Sequence, residues 1–292
     1  MVWIAGLTDS TIFASCLAFA QSEGASFLAI LAAGTTTAAA LTAVSNNGIH
    51  DPAFAYVKDW IYWFDPVNGT TRLVSPAAFI GGTIAALAPQ ISPSNKAVGL
   101  VVGTERFNRW SGILPYTESE VGQLESAGVM FVTNPVPGGT YFGIRHGLTT
   151  SLMPVTQPFE YWRMTSYLAR SFASTMGQFV GQNQSQQPND PTRAAVRNQL
   201  NGFLQFLKSP ATGAGDGLGQ IDDYTVICTF SASGLAGLGV NTPTSISQHY
   251  LFALCRVRYL SSIRFFVLSL QGGTTVVTVG STPGQQLVQL AA

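Results

Sequence analysis

The sequence predicts an α/β fold, a mixed sheet flanked by helices that ends in a β-rich C-terminal part. Two observations carry this. Helix-like segments alternate with short apolar runs through the first half of the 292 residues, and the final part offers four β-rich runs with barely a helix signal between them. A chain of this length can bury a sizeable core, as one large domain or two smaller ones.

The alternation begins with "LTDSTIFASCLAFAQSEGA". Thr8, Asp9 or Ser10 is a good N-cap, and Ile12, Ala14, Cys16, Leu17, Phe19 and Ala20 then form a broad apolar surface, predicting a buried helix. "SFLAILAAG" is an apolar run too short for an independent helix and reads as a central strand. "TTTAAALTAVSNNG" reads as a second helix with an Asn-rich stop. In "AYVKDWIYWFDPVNGTTRLVSP", a β-branched and aromatic run reaches a Pro-x-Asn-Gly turn and returns as a short strand ending at Pro76. "AAFIGGTIAALAPQ" resumes as a small-residue helix, Gly81-Gly82 allowing close packing, until Pro89.

Thr117 and Glu120 have the Thr-x-x-Glu spacing of a capping box. Val121, Leu124 and Ala127 then face the core and Gly128 stops the helix. "VMFVT" is the next strand, and "NPVPGGTYFG" a loop or hairpin, rigid at its prolines and permissive at its glycines. "FEYWRMTSYLARSFASTMGQFVGQ" places Tyr161, Met164, Tyr167, Leu168, Phe172 and Met176 at three- and four-residue spacing, hence a long amphipathic helix. "NQSQQPNDP" reads as a polar linker. "TRAAVRNQLNGFLQFLKS" is another helix, with Val196, Leu200, Phe203, Leu204 and Leu207 on one face. The β-rich runs are "DYTVICTF", "HYLFALCRVRYL", "IRFFVLSL" and "TTVVTV".

Charge is sparse. Fourteen basic residues balance 14 acidic ones, which removes the usual argument for a nucleic-acid or anionic-membrane partner. Only 10% of residues are charged, against about 25% in an ordinary soluble protein. A neutral surface rich in Ser, Thr, Gln, Asn and Gly favours association, and interface cores are likewise poor in charge. Cys16, Cys228 and Cys255 are far apart and read as reduced, structural thiols. No basic residue precedes Lys58, so a secretory flank is missing, and Asp9, Ser10, Gln21 and Glu23 interrupt the N-terminal apolar stretch. The expectation is a soluble intracellular product, on which the glycosylation patterns at Asn68 and Asn183 mean little.

Chemical motifs are weak. The glycines at 213, 215, 217 and 219 follow a helix and lack a Gly-Lys-Ser/Thr, so they read as a turn, and "SASG" from Ser231 lacks the first glycine of a nucleophile elbow. His50, His146 and His249 have no metal-ligand spacing. Asp222-Asp223, the one neighbouring acidic pair, would point apart on a strand. No cofactor, metal site or catalytic set is expected.

The order of these pieces resembles the core and C-terminal domain of contractile tail sheath proteins, the phage tail sheaths and their relatives in pyocin-like and secretion injection machines. The matching stretches are "WIYWFDPVNGTTRLVSPAAFIGGTIAAL", "ESEVGQLESAGVMFV", "FEYWRMTSYLARSFASTMGQFVGQNQSQQ", "AAVRNQLNGFLQFLKSPATGAGDG" and "NTPTSISQHYLFALCRVRYLSSIRFFVLSLQ". With the pieces between them they cover about three quarters of the chain. The resemblance implies an N-terminal part of the sheath core over 1–115, a C-terminal sheath domain over 116–271 that can be continuous with it, and an extended C-terminal arm over 272–292. It also implies a non-enzymatic polymer subunit in hexameric rings stacked around a tail tube protein. Baseplate and tail terminator proteins are further implied partners, in a virion tail assembled in the host cytoplasm.

In this resemblance Thr274, Thr275, Val276, Val277, Thr278 and Val279, a β-rich run behind Gly272-Gly273, form the arm strand added to a neighbour's sheet. An ordinary last strand in the chain's own sheet is the plainer alternative. Sheath proteins usually open with an N-terminal arm, whereas this chain begins almost at once with core helix, like a minimal or shortened sheath. Arg145 and His146, an exposed-looking pair after the Pro/Gly loop, are candidate contacts to a neighbouring subunit or the tube. Two other readings are an α/β small-molecule enzyme or binding protein and a capsid or shell component.

Overall fold

The computed structural model describes residues 1–4, 6–99, 101–106, 116–133, 141–208, 219–231, 239–263, 265–269 and 287–291. A four-stranded sheet forms its centre. Strands β1 (Phe27–Ile30), β2 (Phe54–Lys58) and β6 (Val129–Thr133) run parallel, and the short β7 (Gly143–Ile144) closes the order β1-β2-β6-β7 antiparallel to β6. All residues of β1, β2 and β6 are buried, as continuous apolar runs of parallel strands require.

The period of two divides the core. Phe54 and Tyr56 of β2 face one side with Phe13, Phe27, Leu124 and Phe131; Ala55 and Val57 face the other with Ile61, Ile80, Ile84 and Phe159. Helices α1 (Phe13–Ser22), α2 (Thr37–Asn47) and α4 (Glu118–Ser126) pack on the first face, and α3 (Ala77–Ala86) and the start of α5 (Phe159–Met176) cover the second. The helix α1 is less buried than its apolar residues predict. Phe13 and Ala20 are in the core, but Phe19 is 57% exposed and Ile12, at the N-cap, 40%, because a helix against one sheet buries a single stripe.

A second departure is at Lys58-Asp59. The run "AYVKDWIYWF" is two strands, β2 and β3 (Ile61–Asp65), in different sheets. Asp59 takes φ +67°, a left-handed conformation that Asp tolerates better than most residues, and the chain turns there. β3 is the middle of an antiparallel sheet with β4 (Thr70–Val74) and β5 (Val101–Thr104). The predicted turn between β3 and β4 is present: the Asp65 carboxylate accepts from Val67 N (3.0 Å) and Asn68 N (3.3 Å), and Gly69 supplies φ +62°.

The long helix α5 and α6 (Pro191–Leu207) carry the β-rich part. Met164, Leu168, Leu204, Leu207 and Ile221 form a further core under the antiparallel pair β8 (Ile221–Ile227) and β9 (Leu254–Tyr259). The polar segment before α6 is tied down. Asp190 caps α6 by accepting from Arg193 N (2.9 Å), while buried Arg193 donates to the carbonyls of Ser185 and Gln187. The short helix α7 (Pro243–Ser247) precedes β9 and had no clear sequence signal. Finally β10 (Phe265–Ser269) pairs antiparallel with β11 (Leu287–Ala291), a strand within the predicted arm over 272–292.

Two glycines test this packing. Gly128 has φ +68°, and a Cβ there would lie 2.2 Å from the Thr149 carbonyl oxygen, whereas a Cβ on Gly122 in α4 meets nothing within 4 Å. In urea unfolding, Gly128→Ala is expected to cost more than about 2 kcal/mol, while Gly122→Ala raises stability by ~0.5–1 kcal/mol.

Candidate functional site

The capping box at the start of α4 forms as its spacing predicts. Thr117 Oγ1 accepts from Glu120 N (3.2 Å), and the Glu120 carboxylate accepts from Thr117 N (3.0 Å). Glu120 also receives Arg106 Nη2 (2.8 Å to each oxygen) and Thr37 Oγ1 (3.2 Å), which ties α4 to α2 and to the end of β5. The backbone hydrogen bond from Thr117 is the main reason its pKa lies below the ordinary carboxylate value.

Beside it, at the carboxyl ends of β2 and β6, lies a cluster that sequence reading missed. Lys58 Nζ donates to Asp59 Oδ1 and to Tyr116 OH, both at 2.5 Å, and Tyr116 OH donates to Asp59 Oδ2. Arg106 stacks 5.1 Å from the Tyr116 ring centroid. Burial, followed by the charge of Asp59, pushes the Tyr116 hydroxyl well above its ordinary value, so it remains a donor. The carboxyl end of a parallel sheet is where α/β enzymes usually hold ligands. Here the polar groups at that end are spent on one another. The signal was available: two adjacent charges inside an otherwise apolar and aromatic run need partners if that run is buried.

Arg145 and His146 correct an expectation. They are 9% and 7% exposed, because Arg145 N donates to Phe131 O (3.0 Å) and holds the segment against β6. His146 Nε2 lies 3.6 Å from Glu125 Oε2 of α4. Burial lowers the pKa of Arg145, opposed by the charges of Glu125 and Glu118 on the same helix. The pair therefore braces α4 on the sheet within the chain. It also lines a cavity of about 210 Å³ with Lys96, Glu160, Ser262 and Ile263.

Ser262 connects that cavity to the tail. Its Oγ donates to Glu160 Oε1 (2.7 Å) in the first turn of α5, while Tyr259 hydrogen-bonds Thr165 Oγ1 (2.8 Å) and packs on Tyr161 (ring centroids 5.6 Å). The candidate arm residues Thr274, Thr275, Val276, Val277, Thr278 and Val279 lie outside the described residues, as do the glycines at 213, 215 and 217. Asp222 pairs with Arg258, and Asp223 with Lys208 (2.9 Å), so neither is spare for acid–base work. Among the described residues no group of three or more His, Cys, Asp or Glu could hold a metal ion, and no helix is long and apolar enough to cross a membrane.

A mixed sheet flanked by helices, joined through a helix pair to a small antiparallel sheet and a tail, makes a structural body whose polar clusters brace its elements. Among solved structures, this is the fold of contractile sheath proteins. The chain is similar to one in the anti-feeding prophage baseplate (TM-score 0.64, 13% identity, covering 91% of this chain and 64% of that one). It is also similar to the contracted sheath of PVC, an extracellular contractile injection system (TM-score 0.60, 16% identity, 86% and 64%). A third similar structure is a sheath tail protein of Desulfitobacterium hafniense (TM-score 0.50, 16% identity, 77% and 49%). The chain thus spans no more than 64% of the length of these three. No protein-family model and no curated protein sequence matches it.

Because the folded pKa of Glu120 is depressed, its contribution is present above the unfolded value near ~4.3 and is lost as pH falls through the folded value. Glu120→Ala is expected to cost ~1–2 kcal/mol at pH 7. Urea titrations repeated at acid pH should show the gap to the unsubstituted chain closing; a constant gap would mean that the carboxylate charge contributes nothing.

Proposed function

We propose that the chain is a structural subunit of a contractile sheath, polymerising as stacked hexameric rings around a tail tube and driving that tube through a target envelope. The observation that carries this is the fold likeness, which extends over 91% and 86% of the chain to a contractile-device baseplate and a contracted sheath. Sparse charge supports it, since surfaces that pack on other copies, and repack on contraction, are poor in charge. The work of contraction comes from the difference in contact free energy between two packings of rigid subunits. The role is mechanical and non-enzymatic.

Linkage between subunits is by strand addition. β8–β9 is a two-stranded sheet, marginal in isolation, and β9 has no strand partner on its outer edge among the described residues. Residues 274–279 of the 272–292 arm add as a strand to such an edge on a neighbour through main-chain hydrogen bonds, while β11 at the end of the arm pairs with β10 of its own chain. Arg145 and His146 serve assembly indirectly, by fixing α4. Tube, baseplate and tail terminator proteins are the further partners, in a phage tail or related device assembled in the host cytoplasm.

Negative-stain micrographs of the purified chain, across concentration and salt, are expected to show tubes or stacked rings that vanish on deletion of residues 272–292. Small monodisperse particles under all conditions, with or without added tube protein, would overturn the reading.

A further inference from the structure

Three arginines are ion-paired with carboxylates among the described residues, whereas Arg193 donates to backbone carbonyls. Arg72 pairs with Asp65, Arg106 with Glu120, and Arg258 with Asp222. Arg163 and Arg170 of α5 do not. Seven residues apart, they lie about two turns from each other on one face of the helix. Arg163 Nη2 donates to Leu87 O (2.7 Å), the C-cap of α3, and Arg170 Nη2 donates to Glu23 O, the C-cap of α1. Both guanidiniums thus neutralise helix C-termini, and neither forms an ion pair among the described residues.

Between these arginines is a cleft of about 560 Å³, lined also by Ser166, Tyr167, Ser171 and Ser174. None of its lining residues is acidic. The nearest carboxylate on α5 is Glu160, whose charge reaches Arg163 but which is buried and hydrogen-bonded to Ser262. Two guanidiniums with spare N–H groups and a row of hydroxyls suit a carboxylate.

The complementary surface is on α4. Its nine residues include Glu118, Glu120 and Glu125 and no Lys or Arg. Glu120 and Glu125 are engaged by Arg106 and His146. Glu118 is exposed and forms no ion pair among the described residues, though Arg145 feels its charge. Ser119, Gly122 and Gln123 beside it are exposed and uncharged, so another surface can approach closely.

We propose that the Arg163–Arg170 cleft of one copy receives the Glu118 face of α4 from a second copy. Cleft and acidic face are different surfaces of one chain, so the contact is heterologous: each copy offers both halves, and the contact propagates. It rests on the sheath reading in taking another copy as the partner.

Arg170, exposed and outside the core, is the position to reverse. Sedimentation velocity of the full chain at low salt should show self-association weakened by roughly tenfold or more in both Arg170→Glu and Glu118→Arg. Association should return in the chain carrying both reversals, and in an equimolar mixture of the two single variants, since every cleft again faces an opposite charge. Melting temperatures of the variants separate a lost contact from a damaged fold; should Arg170→Glu melt early, Arg170→Gln replaces it, with weakened association expected and no restoration by Glu118→Arg, because a neutral side chain offers no opposite charge. Indifference of association to either reversal, or loss without restoration in the pair, overturns the contact. Tubes from the unsubstituted chain alongside indifferent variants would leave the sheath reading standing, whereas an unsubstituted chain that is monomeric at every concentration, with or without added tube protein, would remove both.

Discussion

Burial of β2 on both faces is the constraint on which the rest of the fold depends. Phe54, Ala55, Tyr56 and Val57 are inaccessible to solvent, and each of the two large cores takes alternate residues from this strand. A single fully buried aromatic side chain contributes ~1.5–3 kcal/mol of transfer free energy, so β2 holds both helical layers at once. The same constraint explains the polar cluster at its end. Lys58 and Asp59 sit at the edge of a dry sheet, and Tyr116 together with each other's groups completes their hydrogen bonds.

Much of the fold was legible because the informative segments are strongly patterned. The capping box at Thr117–Glu120, the Asn-Gly turn before β4 and the apolar faces of α5 and α6 have local physical causes, and local causes survive into the folded chain. Where long-range geometry decides, sequence was mute. The adjacent charges in "AYVKDWIYWF" mark a break in the buried run but do not say what meets them, since one partner is a tyrosine 57 residues away from Asp59. Arg145 and His146 looked exposed because they follow a loop. Their burial is set by β6 and by Glu125, which composition cannot align.

Helix α5 organises more than its own apolar stripe suggests. One face enters the core through Met164 and Leu168, while Trp162 Nε1 donates to Ala25 O (3.0 Å) and the two arginines end two other helices. An amphipathic pattern reports the first of these roles and is silent on the others, because the acceptors are backbone carbonyls with no sequence signature.

The hydrogen bonds of Ser262 to Glu160 and of Tyr259 to Thr165 join the end of β9 and the segment after it to the first two turns of α5. The small antiparallel sheet is thus held to the α/β body at its far end as well as through the core beneath it, and α5, which also ends two other helices, is the element they share. Any displacement of β9 against α5 must part these side chains together with the packing under the sheet, so the two sheets behave as one body hinged on a single helix.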